Sequence, residues 1–225
     1  MSTNKKIYSV LLVPSILGIF GYLDYGFFFK SGTAGFGILM SLYIYFKENK
    51  KPNDIWFVIM AFVFSIAGDW FLSTRNGQTD RFVIGIGLFF VAHIGYLSYA
   101  LANGTMKKKF TAIFTAVFLM YYALVLFPAI DEMVLNVAVL IYLLISCLSF
   151  GIAVGFRGNR EAAAAYIFGI FLVLFSDTII SIKEFVGIAE VGFLILPTYY
   201  MAHIAVTYAV MKKSAVFSAL PESNG

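Results

Sequence analysis

Eight mostly apolar runs, each closed by a short polar stretch, divide the chain from end to end. They cover 7–28, 31–46, 55–74, 82–102, 110–129, 133–155, 162–181 and 190–211. A helix needs roughly 20 such residues to cross a bilayer, at about 1.5 Å per residue. The pattern therefore predicts an all-α, polytopic bundle of eight transmembrane helices forming a single domain over residues 1–225. The punctuation between runs is brief: KENKKPND, TRNGQTD, NGTMKKK, PAIDE, FRGNR and SIKEF. The second run is short and follows closely on the first, so that boundary is the least defined. The opening MSTNKK and its apolar run have the outline of a signal peptide. The run continues past residue 20 without a small-residue cleavage site, so a retained first span is expected.

Composition agrees with the pattern. The chain is 61% hydrophobic and 12% charged, with a mean hydropathy of +0.88, whereas a soluble domain is about 45–50% apolar and about 25% charged. The net charge of +4 is too small and too scattered to suggest nucleic acid. Its distribution instead reports topology, because cytoplasmic loops are enriched in lysine and arginine. With eight spans, twelve of these residues fall on one side: Lys5, Lys6, Lys47, Lys50, Lys51, Lys107, Lys108, Lys109, Arg157, Arg160, Lys212 and Lys213. Four fall on the other: Lys30, Arg75, Arg81 and Lys183. Both termini are expected in the cytoplasm, and the protein in the cell (inner) membrane if the chain is bacterial. The lone cysteine, Cys147, permits no intrachain disulfide and says nothing about redox compartment.

Ionisable residues inside apolar spans cost a few kcal/mol each and mark functional sites. Here they are Asp24, Asp69, His93, Asp177 and His203. The three aspartates fall near the outer ends of spans 1, 3 and 7, with Asp69 and Asp177 roughly 6–8 Å below the outer boundary. His93 and His203, on spans 4 and 8, lie nearer the midplane. One polar cavity opening away from the cytoplasm would unite them. Ser65, Asp69 and Ser73 share a helix face, His93 and Tyr96 can meet, and so can Tyr199 and His203. Gly68, Gly85, Gly87 and Gly169 would let helices approach closely. Spans 3 and 7 also echo each other, FSIAGDWFLS against LFSDTIIS, so any duplication would be of the parallel kind.

Blander readings exist for several of these positions. Asp24 sits among Tyr22 and Tyr25, where an interfacial place accounts for it. Lys30, Lys183 and Glu184 stand at helix ends, where long stems reach the interface. Ser65, Ser73, Ser176 and Ser181 commonly bond their own helix carbonyls. The chain carries no Walker loop, GxSxG elbow or HExxH, and two histidines exclude a three-histidine zinc site. A mixed histidine and aspartate metal site has no local spacing signature here, and none is expected.

Four motifs in order resemble one family. They are S-x-x-G-D in FSIAGD, G-x-x-x-F-x-x-A-H-x-x-Y in GIGLFFVAHIGY, G-x-x-x-x-x-F-S-D in GIFLVLFSD and T-Y-Y-x-A in PTYYMAH. Together, on these spans, they are similar to the lysoplasmalogenase (YhhN-like) family, and the resemblance covers essentially the whole chain. Two positions depart from it. The family's Lys-Pro entering the second span is Lys30 followed by Ser31 here, and its glutamine in the last span is His203.

The resemblance implies hydrolysis of the vinyl ether bond of a lysoplasmalogen, releasing a fatty aldehyde and glycerophospho-ethanolamine or -choline, without a cofactor. It implies a catalytic pair, Asp69 and Asp177, with His93 bonding one of them or positioning water. Tyr96, Tyr199, His203, Ser65 and Asp24 would support or line the site, and Lys30 would meet the lysophospholipid phosphate. Two rivals share the buried acids: an intramembrane aspartyl protease, whose Y-D and G-x-G-D motifs are absent, and a proton-coupled transporter or lipid-binding protein using the acids as a relay.

Overall fold

A computed structural model describes residues 3–218. Among these residues the chain is helical with no strand. We number the long helices α1 (Thr3–Tyr22), α2 (Gly32–Lys47), α3 (Ile55–Ser73), α4 (Thr79–Ala102), α5 (Lys108–Ala129), α6 (Met133–Ala153), α7 (Arg160–Val186) and α8 (Ala189–Lys213). The helices from α3 to α8 are long and apolar enough to cross a membrane. In α1 the apolar segment is Lys6–Tyr22, and α2 has 16 residues, so both are shorter. The molecule is an integral membrane protein, and the helical form follows from its solvent: in hydrocarbon every backbone N–H and C=O must find its partner within the segment.

Helix ends depart from the apolar runs where the backbone demands it. The first run was expected to continue to residue 28, but α1 stops at Tyr22. Asp24 and Gly26 adopt positive φ, 62° and 101°, and turn the chain into the single helical turn Phe27–Lys30. Asp24 is thus an exposed turn residue, outside any span. The seventh run was expected to end at residue 181. α7 instead continues as a π-turn through Ile182–Val186 and is closed by Gly187 at φ 81°. A second π-turn, Tyr122–Leu126, precedes Pro128 in α5. Asn136 of α6 donates to the carbonyls of Phe127 and Ile130 there, satisfying groups the helix end leaves open.

Six helices close a circuit: α2 packs on α3, α3 on α4, α4 on α6, α6 on α7, α7 on α8, and α8 on α2. α1 lies outside against α2 and α8, and α5 lies outside against α6. Much of α5 faces outward, with Ile113 and Leu124 about 70% exposed, as a lipid-facing helix requires. This arrangement nearly repeats when every helix is exchanged for the one four places on. The pair α3–α4 corresponds to α7–α8, α2 to α6, and peripheral α1 to peripheral α5. Residues 108 to 110 apart then correspond: Asp69 with Asp177, His93 with His203, Thr33 with Tyr142. The hydrogen bonds obey the exchange, since His93 meets Tyr142 at 3.0 Å and His203 meets Thr33 at 3.1 Å.

Small residues set the closest helix approaches. A Cβ on Gly68 would fall 2.8 Å from Phe89, on Gly85 2.8 Å from Leu72, and on Gly169 2.8 Å from Val206. Gly87, expected to do the same, has no neighbour within 4 Å. It faces away from α3 and contributes nothing to that contact.

One end of the bundle is tied shut by polar contacts. Asp54, just before α3, accepts from Asn103 at the end of α4 (2.7 Å) and from Lys213 at the end of α8. Asn159 caps α7 through Ala162 N (2.7 Å) and donates to the Lys212 carbonyl (2.8 Å). The loops at 103–105 and 155–157 are joined by main-chain bonds. The opposite end is open.

Candidate active site

The open end leads into a cavity of about 300 Å³ between α3, α4, α7 and α8. Asp69 and Asp177 both line it. Each stands about one helical turn below Ser73 or Ser181, so two acids more than 100 residues apart in the chain reach one chamber from corresponding helices. Leu72, Phe89, Ile180, Ile195 and Leu196 supply apolar walls. Lys30, Arg75, Lys183 and Glu184 also line the cavity, from its outer end.

The two carboxyl groups are held differently. Asp177 accepts a hydrogen bond from the Tyr142 hydroxyl at 2.8 Å, and its Oδ2 lies 3.1 Å from His93 Nε2. The ring donates there when Nε2 carries the hydrogen. His93 is itself fixed on Asp177's side of the bundle by Tyr142 at 3.0 Å and Ser146 at 3.2 Å, and is 1% exposed. Asp69 accepts one bond, from the Tyr199 hydroxyl at 3.1 Å. The helix pairing thus crosses over: α4 and α6 reach Asp177, while α8 reaches Asp69.

The other expected site residues fall into two groups. Tyr199 and Lys30 line the cavity. Tyr96, Ser65 and His203 do not; they are buried beneath it. Tyr96 packs edge-on to His93 (6.2 Å between rings), and His203 packs against Tyr199 (4.2 Å) while bonding Thr33. They support the groups above them without reaching the chamber. Asp24 is outside as well, paired with Lys30 at 2.7 Å from an exposed turn. Tyr142 and Ser146 are not among the residues the sequence singles out, and Arg75 enters there only as a topology marker. Tyrosine is ordinary in apolar spans, and the one available signal was the i, i+4 spacing of Tyr142 and Ser146. Among the described residues no group of three or more His, Cys, Asp or Glu could hold a metal ion.

Two smaller cavities also touch Asp177. One of about 60 Å³ runs past Phe82, Ile86 and Val139, and one of about 40 Å³ past Phe118, Leu143 and Leu174. Both are bordered by Tyr142 and are mostly apolar, so the floor of the chamber continues as narrow fissures toward α5 and α6.

The chain matches the profile of the YhhN family over residues 28–210, from the turn before α2 nearly to the end of α8. It belongs to that family. The YhhN family is the family of lysoplasmalogenases, and the match takes in every residue lining the chamber and leaves out α1, which packs outside it. Neither the curated proteins nor the solved structures compared with the chain match it.

Proposed function

We propose that the protein is an intramembrane hydrolase that cleaves the vinyl ether bond of lysoplasmalogens to a fatty aldehyde and a glycerophospho-ethanolamine or -choline. The observation that carries the reading is the pair Asp69 and Asp177 in one chamber with unequal hydrogen-bonding partners. Family membership supports the substrate class. The same reading takes all eight helices as one transmembrane domain with both termini in the cytoplasm, so that the chamber opens on the far side.

A vinyl ether is hydrolysed by protonating its β-carbon, which leaves an oxocarbenium ion for water to capture. The reaction therefore needs a proton source beside the double bond and an anion beside the cation, as in the acid pairs of glycosidases. Asp177 faces two side-chain donors and Asp69 one. This makes Asp177, with Tyr142 and His93, the anion, and leaves Asp69 to carry the proton. Asp69 protonates carbon; Asp177 faces the cation and takes a proton from the attacking water, giving a hemiacetal. Collapse returns that proton from Asp177 to the departing glycerol oxygen. The hemiacetal hydroxyl returns its own to Asp69, and both acids are reset. The apolar fissures beyond Asp177 suit the start of the alkenyl chain.

The test uses purified protein in detergent with a lysoplasmalogen and its saturated ether analogue. Aldehyde is expected from the first alone, and in D₂O, trapped as it forms, it should carry one deuterium at carbon 2. Absence of aldehyde from a folded sample would favour the carrier or lipid-binding reading.

A further inference from the structure

The mouth of the chamber is more basic than its place in the molecule explains. The end of the bundle it opens from is poor in lysine and arginine, with Lys30, Arg75, Arg81 and Lys183 against twelve such residues assigned to the other side. Three of the four line this cavity. The fourth, Arg81, donates to the carbonyl (3.2 Å) and hydroxyl (2.8 Å) of Thr74 and so braces the loop that carries Arg75. Charge bias between the two faces accounts for few basic residues here, not for their convergence on one opening.

The three come from separate segments: the turn before α2, the loop after α3 and the π-turn that ends α7. Arg75 and Lys183 are equivalents under the exchange of the two halves, one above each aspartate. Glu184 stands between them, 2.7 Å from Arg75 and 3.7 Å from Lys183. It is the one acid among the residues lining the mouth, and Lys30's partner Asp24 is 75% exposed and screened by water. The opening thus carries an excess of positive charge. Arg75 is also held in place. Its guanidinium lies over the Phe82 ring at 5.2 Å and is anchored by Glu184 through Nη2. A guanidinium fixed on one edge offers its remaining donors as a fork, which fits two oxygens of a phosphate.

We propose that this mouth is a phosphodiester site, in which Arg75 and Lys183, with Lys30 beside them, bind the headgroup phosphate of a single-chain phospholipid. The inference rests on the reading of the floor as the place where the ether bond is held, and it deepens that reading. The spacing agrees. Arg75 and Lys183 come six residues after Asp69 and Asp177, about 9 Å at the rise of a helix. Seven bonds separate the phosphorus from the vinyl carbon to be protonated, about 8–9 Å when extended, at about 1.2 Å of advance per bond. With the phosphate at the mouth, the ether reaches the acids and the chain enters the apolar fissures. Glu184 is a positioning residue that keeps Arg75 aimed.

Binding measures this directly, without turnover. The full-length protein in a non-ionic, phosphate-free detergent is titrated with the saturated ether lysophospholipid, with glycerophosphoethanolamine and with inorganic phosphate, following the melting temperature or heat of binding. The variants are Lys183→Gln, Arg75→Gln, their combination, and Lys108→Gln/Lys109→Gln at the far end as a control. Lys183 is partly exposed and its carboxylate is 3.7 Å away, so its replacement is safe for the fold even if Arg75→Gln is not. The lipid is expected to bind the wild type and the control alike. It should bind Lys183→Gln at least threefold more weakly and the double variant at least tenfold more weakly. The soluble phosphates should bind far more weakly than the lipid throughout. Equal lipid affinity in wild type and double variant would overturn the proposal, as would soluble phosphates binding as tightly as the lipid. Aldehyde release that persists without charge-dependent binding sinks this site alone. Charge-dependent lipid binding without aldehyde release sinks the hydrolase reading alone.

Discussion

Asp177 and Asp69 have the same backbone setting and different company, and the division of labour proposed for them rests on Tyr142. That hydroxyl bonds both the carboxylate, at 2.8 Å, and the imidazole that shares it. Removing a hydrogen bond to a charged group costs about 1.5–3 kcal/mol, or about 10–100-fold in rate when the bond acts in the transition state. Tyr142→Phe should therefore lower kcat by about tenfold or more in protein shown to be folded, with KM little changed. Full activity in that variant would remove Tyr142 from the site. The two aspartates were legible in the sequence because a carboxyl in an apolar run is costly, so each stands out alone. Tyr142 was not, because a tyrosine in such a run is unremarkable until its hydroxyl is seen to meet a carboxylate 35 residues on. Arg75 and Glu184 look like ordinary interfacial charges until folding brings them together.

The helices that carry the site are held by close contact in the interior and by polar ties at the closed end. α3 and α4 meet where Gly95 faces Phe57, and a Cβ there would lie 2.6 Å from the Phe57 carbonyl oxygen. Backbone cannot yield as a side chain does, so Gly95→Ala should destabilise by about 1–3 kcal/mol, read as a lower melting temperature in detergent. At the closed end, burial would raise the Asp54 pKa, but its bonds to Lys213 and Asn103 outweigh that and hold it below the ordinary value of 3.8. A depressed carboxyl stabilises the fold above its unfolded pKa, and the contribution is lost as pH falls through the folded value. The wild type should therefore melt above Asp54→Asn near pH 7, and the gap should close as pH falls below 3.8 and through the lower folded pKa. A gap that persists in acid would show that Asp54 acts by shape alone. Most helix positions could be read from the apolar runs. The stop at Tyr22 and the π-turn past Ser181 could not, because positive φ at Asp24 and a π-turn at Ile182 leave no mark on hydropathy.

The bundle as a whole puts its basic-rich, tied end and its open, acid-floored end on opposite faces, and the proposed orientation, with the chamber away from the cytoplasm, rests on the positive-inside bias. Cys147 is buried, so a single cysteine placed at Asn76 can be labelled without removing it. Labelling from the non-cytoplasmic side is expected; labelling only from the cytoplasm would invert the orientation. The near-repeat of the two halves explains why the acids lie at one depth, and only FSIAGDWFLS and LFSDTIIS hinted at it, since the matching neighbours are Thr33 against Tyr142 and not like residues. The central claim is that Asp69 and Asp177 together hydrolyse the ether bond. Its most direct measurement is the rate of aldehyde release from a lysoplasmalogen by the wild type, Asp69→Asn and Asp177→Asn, each shown to be folded. Loss of at least about 10²-fold in both variants is predicted; near-wild-type turnover in both would contradict it.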